Sequence, residues 1–91
     1  MEIYVYNEKI KGFVIDSDGE IKAPMNFETS NEIGKTAKEV FKELVKYCLI
    51  TETLAIGARE FSEIITEKFE LSKNTMLAIV ELKQNEYIDI I

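Results

Sequence analysis

Histidine is absent from this chain, and its 91 residues include one cysteine, one proline and one arginine. Without histidine there is no imidazole for general acid–base work and no His–Cys zinc set, so the chemistries that rest on them are excluded. The single thiol, Cys48, forms no internal disulfide. It falls on the apolar face of a predicted helix, with nothing to activate it, and reads as a buried structural group. No apolar run approaches the ~18 residues that a membrane span requires. The opening MEIYVYNEKI lacks a basic leader and an apolar stretch, so no signal peptide is predicted. Gly-rich phosphate loops and nucleophile elbows are also missing. These absences predict a cytoplasmic, non-enzymatic protein without cofactor, metal site or small-molecule substrate.

What is present is ordinary for a folded chain: 46% hydrophobic and 31% charged residues, enough for one core and one domain over 1–91. The formal charge is −6. An acidic surface repels a polyanion, and the basic residues are ten lysines with Arg59 alone suited to bidentate base reading. The charge is spread along the chain. Residues 1–33 carry three basic and seven acidic side chains, and residues 34–91 carry eight and ten.

Hydropathy patterning predicts an α+β fold. Residues 2–6 (EIYVY), 10–15 (IKGFVI) and 20–23 (EIKA) read as a three-stranded antiparallel meander over 1–24. Asn7-Glu8-Lys9 supplies its first turn, Asp18-Gly19 the second, and Pro24 closes it. Asp16-x-Asp18-Gly19 lacks the further ligands of a calcium loop and is better read as a hairpin turn. Thr29 and Glu32 have capping-box spacing ahead of a helix over about 32–49, whose apolar face is Ile33, Ala37, Val40, Phe41, Leu44, Val45 and Cys48. TETLAI (51–56) is β-prone and ends at Gly57. A second helix over about 58–69 shows Ala58, Phe61, Ile64, Ile65 and Phe69. Ser72 caps a third helix over 73–84, with Leu71 placed to staple it and Met76, Leu77, Ile79, Val80 and Leu82 as its core residues.

From about residue 36 the order and spacing resemble the winged helix-turn-helix family. The likeness rests on LAIGAREFSEIITEKF (54–69), LSKNT (71–75), Val80, Leu82 and YIDI (87–90). The resemblance implies a tri-helical core over 32–91 whose third helix sits where that family reads the DNA major groove. It also implies a strand at 87–91. Glu86 stands where the family often has glycine, and no second wing strand follows, so 87–91 is expected to join the sheet of the N-terminal strands.

Two functional readings stay open. In the first, a dimeric transcriptional regulator or DNA-associated protein of a mobile element or microbe contacts duplex DNA through Ser72, Lys73, Asn74, Thr75 and Arg59, with Ala78, Glu81 and Gln84 further along the outward side. In the second, an acidic protein-interaction module, such as a phage-type inhibitor or assembly adaptor, binds a protein partner and leaves DNA alone. Glu63, Glu67 and Glu70 favour the second, since they cluster where phosphates would run. Glu60, Glu63 and Glu67 also have the spacing of paired carboxylates, but glutamates three or four apart on a helix read as a solvated face. Both faces of the N-terminal strands hold large apolar groups, so Tyr4, Tyr6 and Phe13 are candidate interface residues, with a homodimer the simplest occupant.

Overall fold

Ile3 and Val5 alternate with Glu2 and Tyr4, and the chain uses that alternation to build the centre of a sheet. The computed structural model describes residues 1–91 as an α+β fold. Strand β1 (Glu2–Val5) is followed by one helical turn, α1 (Asn7–Ile10), the short strands β2 (Val14–Ile15) and β3 (Ile21–Lys22), and a short helix α2 (Met25–Glu28). Helix α3 (Lys35–Thr51), strand β4 (Ala55–Gly57), helices α4 (Ala58–Lys68) and α5 (Lys73–Gln84), and strand β5 (Ile88–Ile90) complete the chain. β1 lies between β4 and β5 and is antiparallel to both, with Ile3 opposite Ile56 on one side and Ile90 on the other. The expected pairing of 87–91 with the first strand is present.

The expected meander is not. β2 and β3 pair only with each other, and β1 takes one neighbour from the middle of the chain and the other from its end. After Tyr6 the backbone coils instead of turning back: Lys9 N–H donates to the Tyr6 carbonyl at 3.0 Å, and Ile10 drops into the core. Gly12 then redirects the chain at φ 89°, where an added Cβ would lie 3.0 Å from the Pro24 ring. Only the second turn matches the sequence reading. Asp16 accepts from the N–H of Asp18 and Glu20 at 2.9 and 3.0 Å. Those bonds, the Glu20 one foremost, hold its carboxyl below the usual pKa.

The start of α3 also differs. Thr29 does not cap it; its hydroxyl donates to the Met25 carbonyl at 3.0 Å and closes α2, a turn that Phe27 needs in order to reach the core. α3 begins after Gly34, which has no capping side chain of its own. The carboxylate of Glu81 in α5 accepts from the Gly34 N–H at 3.0 Å and supplies the missing negative charge.

α3 is the axis of the core, with Val40, Phe41, Leu44 and Val45 wholly buried. The inner face of the sheet covers it with Ile3, Val5, Ile56 and Ile88. Phe41 meets the rings of Phe13, Phe27 and Tyr87 at centroid distances of 5.8, 5.8 and 5.1 Å. Lys9 Nζ sits 4.5 Å over the Tyr87 ring. Two helix ends use a left-handed glutamate, Glu52 at φ 55° and Glu86 at φ 59°. At the second, Tyr87 N–H donates to the Leu82 carbonyl and Glu86 N–H to that of Lys83, the double bond pattern that usually selects glycine.

A side chain in the left-handed region costs about 1–2 kcal/mol, part of which glycine gives back as unfolded-state freedom. Glu86→Gly should therefore raise unfolding free energy by about 0.5–1 kcal/mol, read from the urea midpoint at unchanged slope. Burial pushes the Cys48 thiol up to about 11. Burial, and then interaction with the Glu32 carboxylate, pushes the Tyr87 phenol up to about 12. Folding favours the protonated forms, so their contribution is complete below the ordinary values of 9.0 and 10.0 and is lost as pH rises through the folded ones. Stability should fall as pH climbs from about 9 towards 12, and Cys48→Ala should remove the lower part of that fall.

Candidate interaction surface

α5 is placed by its first turn. The Ser72 hydroxyl accepts from the Thr75 N–H at 3.3 Å, and the Thr75 hydroxyl donates to the Glu70 carbonyl at 2.8 Å. Ser72 is the predicted cap. The same bonds decide what this turn offers outward. Thr75 is 3% exposed and bonded internally, and Ser72 is half-buried and committed to the cap, which leaves Lys73 and Asn74 as free donors. Arg59 is exposed in the first turn of α4, its Nε 3.5 Å from Glu63 Oε1. About 15 Å of helix separates it from the end of α4 where the chain turns into α5. Ser72–Thr75 share one turn, and Arg59 stands at the far end of the preceding helix.

The rotation of α5 is the main correction to the sequence reading. Thr75, Ala78, Ile79 and Leu82 face the core, and Ala78, expected outward, is 3% exposed. Glu81, also expected outward, lies at the flank with its carboxylate on Gly34. Only Gln84 of that set is exposed. Met76, Leu77 and Val80, expected inside, stand 53%, 54% and 46% exposed. Leu71 does not staple the helix; it is 71% exposed. Both sets of positions satisfy helical spacing, so periodicity alone does not choose between them. Ala78 decides it, because a methyl-sized side chain lets α5 close on α3, where leucine at 77 would hold it off. The signal in the sequence was the second stripe itself: one helix carrying apolar residues all round.

On the outer face of the sheet Tyr4 and Tyr6 pack edge to face at 5.5 Å, each half-buried. Partial burial, followed by the carboxylates of Asp89, Glu86 and Glu8, raises the Tyr6 pKa. Phe13 does not share this surface. It is 6% exposed, with its ring 5.0 Å from Phe27. The alternation read over 10–15 fails because those residues are not one strand.

The sheet has two edges, and on each a side chain caps one outward N–H. In the antiparallel pairing with β1, the N–H groups of Ala55 and Ile90 point away from it. Ile90 N–H donates to Asp89 Oδ1 at 2.8 Å, and that carboxylate lies 3.7 Å from Lys83 Nζ. Ala55 N–H donates to the Thr53 hydroxyl at 3.2 Å, which in turn donates to the Ala55 carbonyl at 3.4 Å. One ladder donor is thus withdrawn from each edge. Elsewhere, Lys35, Lys38 and Lys42 line the groove at the start of α3, but Lys38 donates to the Glu28 carbonyl at 2.9 Å and Lys42 pairs with its carboxylate at 2.7 Å. No three histidine, cysteine, aspartate or glutamate side chains converge as a metal-binding group. No helix is long and apolar enough to cross a membrane.

Comparison with protein-family models, curated proteins and solved structures gives no match to this chain.

Replacing both edge caps, Thr53→Val with Asp89→Ala, should free the ladder groups of Ala55 and Ile90. The expected outcome is concentration-dependent light scattering at protein levels where the parent stays clear, with the helical circular dichroism signal retained.

Proposed function

We propose that this chain acts by binding another protein, which it docks on the outer face of α5. The observation that carries the reading is the exposure of Met76, Leu77 and Val80, with Leu71 before them, on a helix whose opposite face is already built into the core. A helix apolar on both sides is a buried helix, and this one lacks its second cover. Covering the exposed half of Leu77 or Val80 is worth about 1 kcal/mol each.

The element order supports a winged-helix-like frame for this surface. α3, β4, α4, α5 and β5 follow one another as in that family, with β1 filling the centre of the small sheet. In that frame α5 takes the place of the recognition helix. A helix that reads DNA sets hydrogen-bond donors along its outer ridge, and the ridge here is Lys73, Leu77, Val80 and Gln84. Two apolar groups in its middle and a net charge of −6 favour a protein partner over a phosphate backbone.

Two measurements test this. Fluorescence anisotropy with generic duplex DNA at low salt should show no binding tighter than about 100 μM, the weak end of non-specific affinity. Tighter binding that Lys73→Glu abolishes would return α5 to DNA and overturn the reading. A photo-reactive amino acid at Leu77 should give a discrete adduct, whereas one at exposed Ile50 in α3 should not. Adducts at Ile50 or Tyr4 with none at Leu77 would also overturn it.

A further inference from the structure

We infer that the partner seated on α5 is a second copy of this chain, the two α5 helices packing antiparallel across a two-fold axis between Leu77 and Val80. This rests on the reading of α5 as an interface and names its occupant. The argument is one of self-complementarity. An isologous contact requires one surface to match itself turned through 180°. When α5 is laid antiparallel on its own image, Leu77 of each copy meets Val80 of the other. Lys73 then faces Gln84, Asn74 faces Lys83, and Met76 faces Glu81. No like charges oppose one another. Glu81 is drawn aside by its bond to the Gly34 N–H, so its aliphatic stem, and not its carboxylate, lies towards Met76. Lys73 of each copy also extends past Gln84 towards Glu86 of the other, which provides two ion pairs at the rim.

The alternatives are weaker for stated reasons. Two chains of charge −6 repel, so they approach best where the surface is not acidic. Around Tyr4 and Tyr6 the ring of Asp89, Glu86 and Glu8 is acidic, and α4 presents Glu63 and Glu67. The outer side of α5 instead carries Lys73, with Lys83 held at Asp89 and Glu81 at the Gly34 N–H. Pairing through strands is hindered at both sheet edges, where Thr53 and Asp89 each occupy one ladder donor. A contact of one helix per copy lies below the ~1,200 Å² of standard stable interfaces, so the dimer should dissociate in the micromolar range.

Sedimentation velocity of the whole chain from about 1 to 500 μM tests the inference. The parent should shift from monomer to dimer across that range. Leu77→Lys with Val80→Lys should weaken the dimer at least 100-fold with unchanged circular dichroism, and Tyr4→Ser with Tyr6→Ser should not. If the lysine pair unfolds the chain, Leu77→Cys with Val80→Cys in a Cys48→Ala background provides the second measurement. Mild oxidation should link two copies through residues 77 and 80, while Ile50→Cys in the same background stays unlinked. A parent that is monomeric throughout, with residue-77 photo-adducts of another mass, would sink the second copy and leave the α5 interface standing. A dimer that survives the lysine substitutions, or links through Ile50→Cys and not through 77 and 80, would sink both.

Discussion

The ring of Tyr87 against Phe41 is the contact on which the placement of everything else depends. Phe41 is fixed in the middle of α3, and Phe13 and Phe27 reach it from two short segments that have little other reason to be ordered. Tyr87 reaches it from the end of α5. To plant that ring, the chain must leave its helical path within one residue, which it does at Glu86 in a left-handed conformation. That exit fits the rotation of α5 that Ala78 permits against α3. Leu82 and Ile79 fall inward, while Leu77 and Val80 fall outward. The exposed apolar stripe is thus the far side of a helix whose inner side is fixed by Ala78 and, at its end, by Tyr87.

Much of the frame was legible in the sequence because it is written in local chemistry. Ser72 is a cap wherever a helix begins, the stripe from Ala37 to Cys48 can belong only to a helix, and Asp18-Gly19 can only turn. Residues 58–69 and 73–84 matched observed helices almost to the residue for that reason. What misled was competition between equally periodic alternatives. Residues 10–15 have strand composition, but β1 finds better partners in β4 and β5, and Phe13 finds Phe27 and Phe41. Thr29 and Glu32 have cap spacing, but the cap of α3 comes from Glu81, 47 residues away. No window along the chain contains that information.

The candidate surface was half legible. On α5 the sequence leaves polar candidates outside and sends inward an apolar stripe that the structure exposes. Its polar candidates were read as donors to DNA, and two of the four in the first turn are occupied in holding that turn together. The apolar residues were assigned to the core by default, since an apolar residue on a predicted helix is more often inside. The default fails where a helix has more apolar residues than one face can hold, and α5 is such a helix. Tyr4 and Tyr6 were correctly read as lying off the core, whereas Phe13 was grouped with them only through a strand that does not exist.

The bond between Glu81 and Gly34 ties the start of one helix to the middle of another. The first turn of α3 has lysines where a helix start favours acids, and it has no nearby side chain to hold its amides. The middle and end of α3 rest on their own apolar face, but its beginning is tied to the C-terminal third of the molecule. The start of α3 and the middle of α5 thus form one unit, joined by a bond between residues 47 apart in the chain.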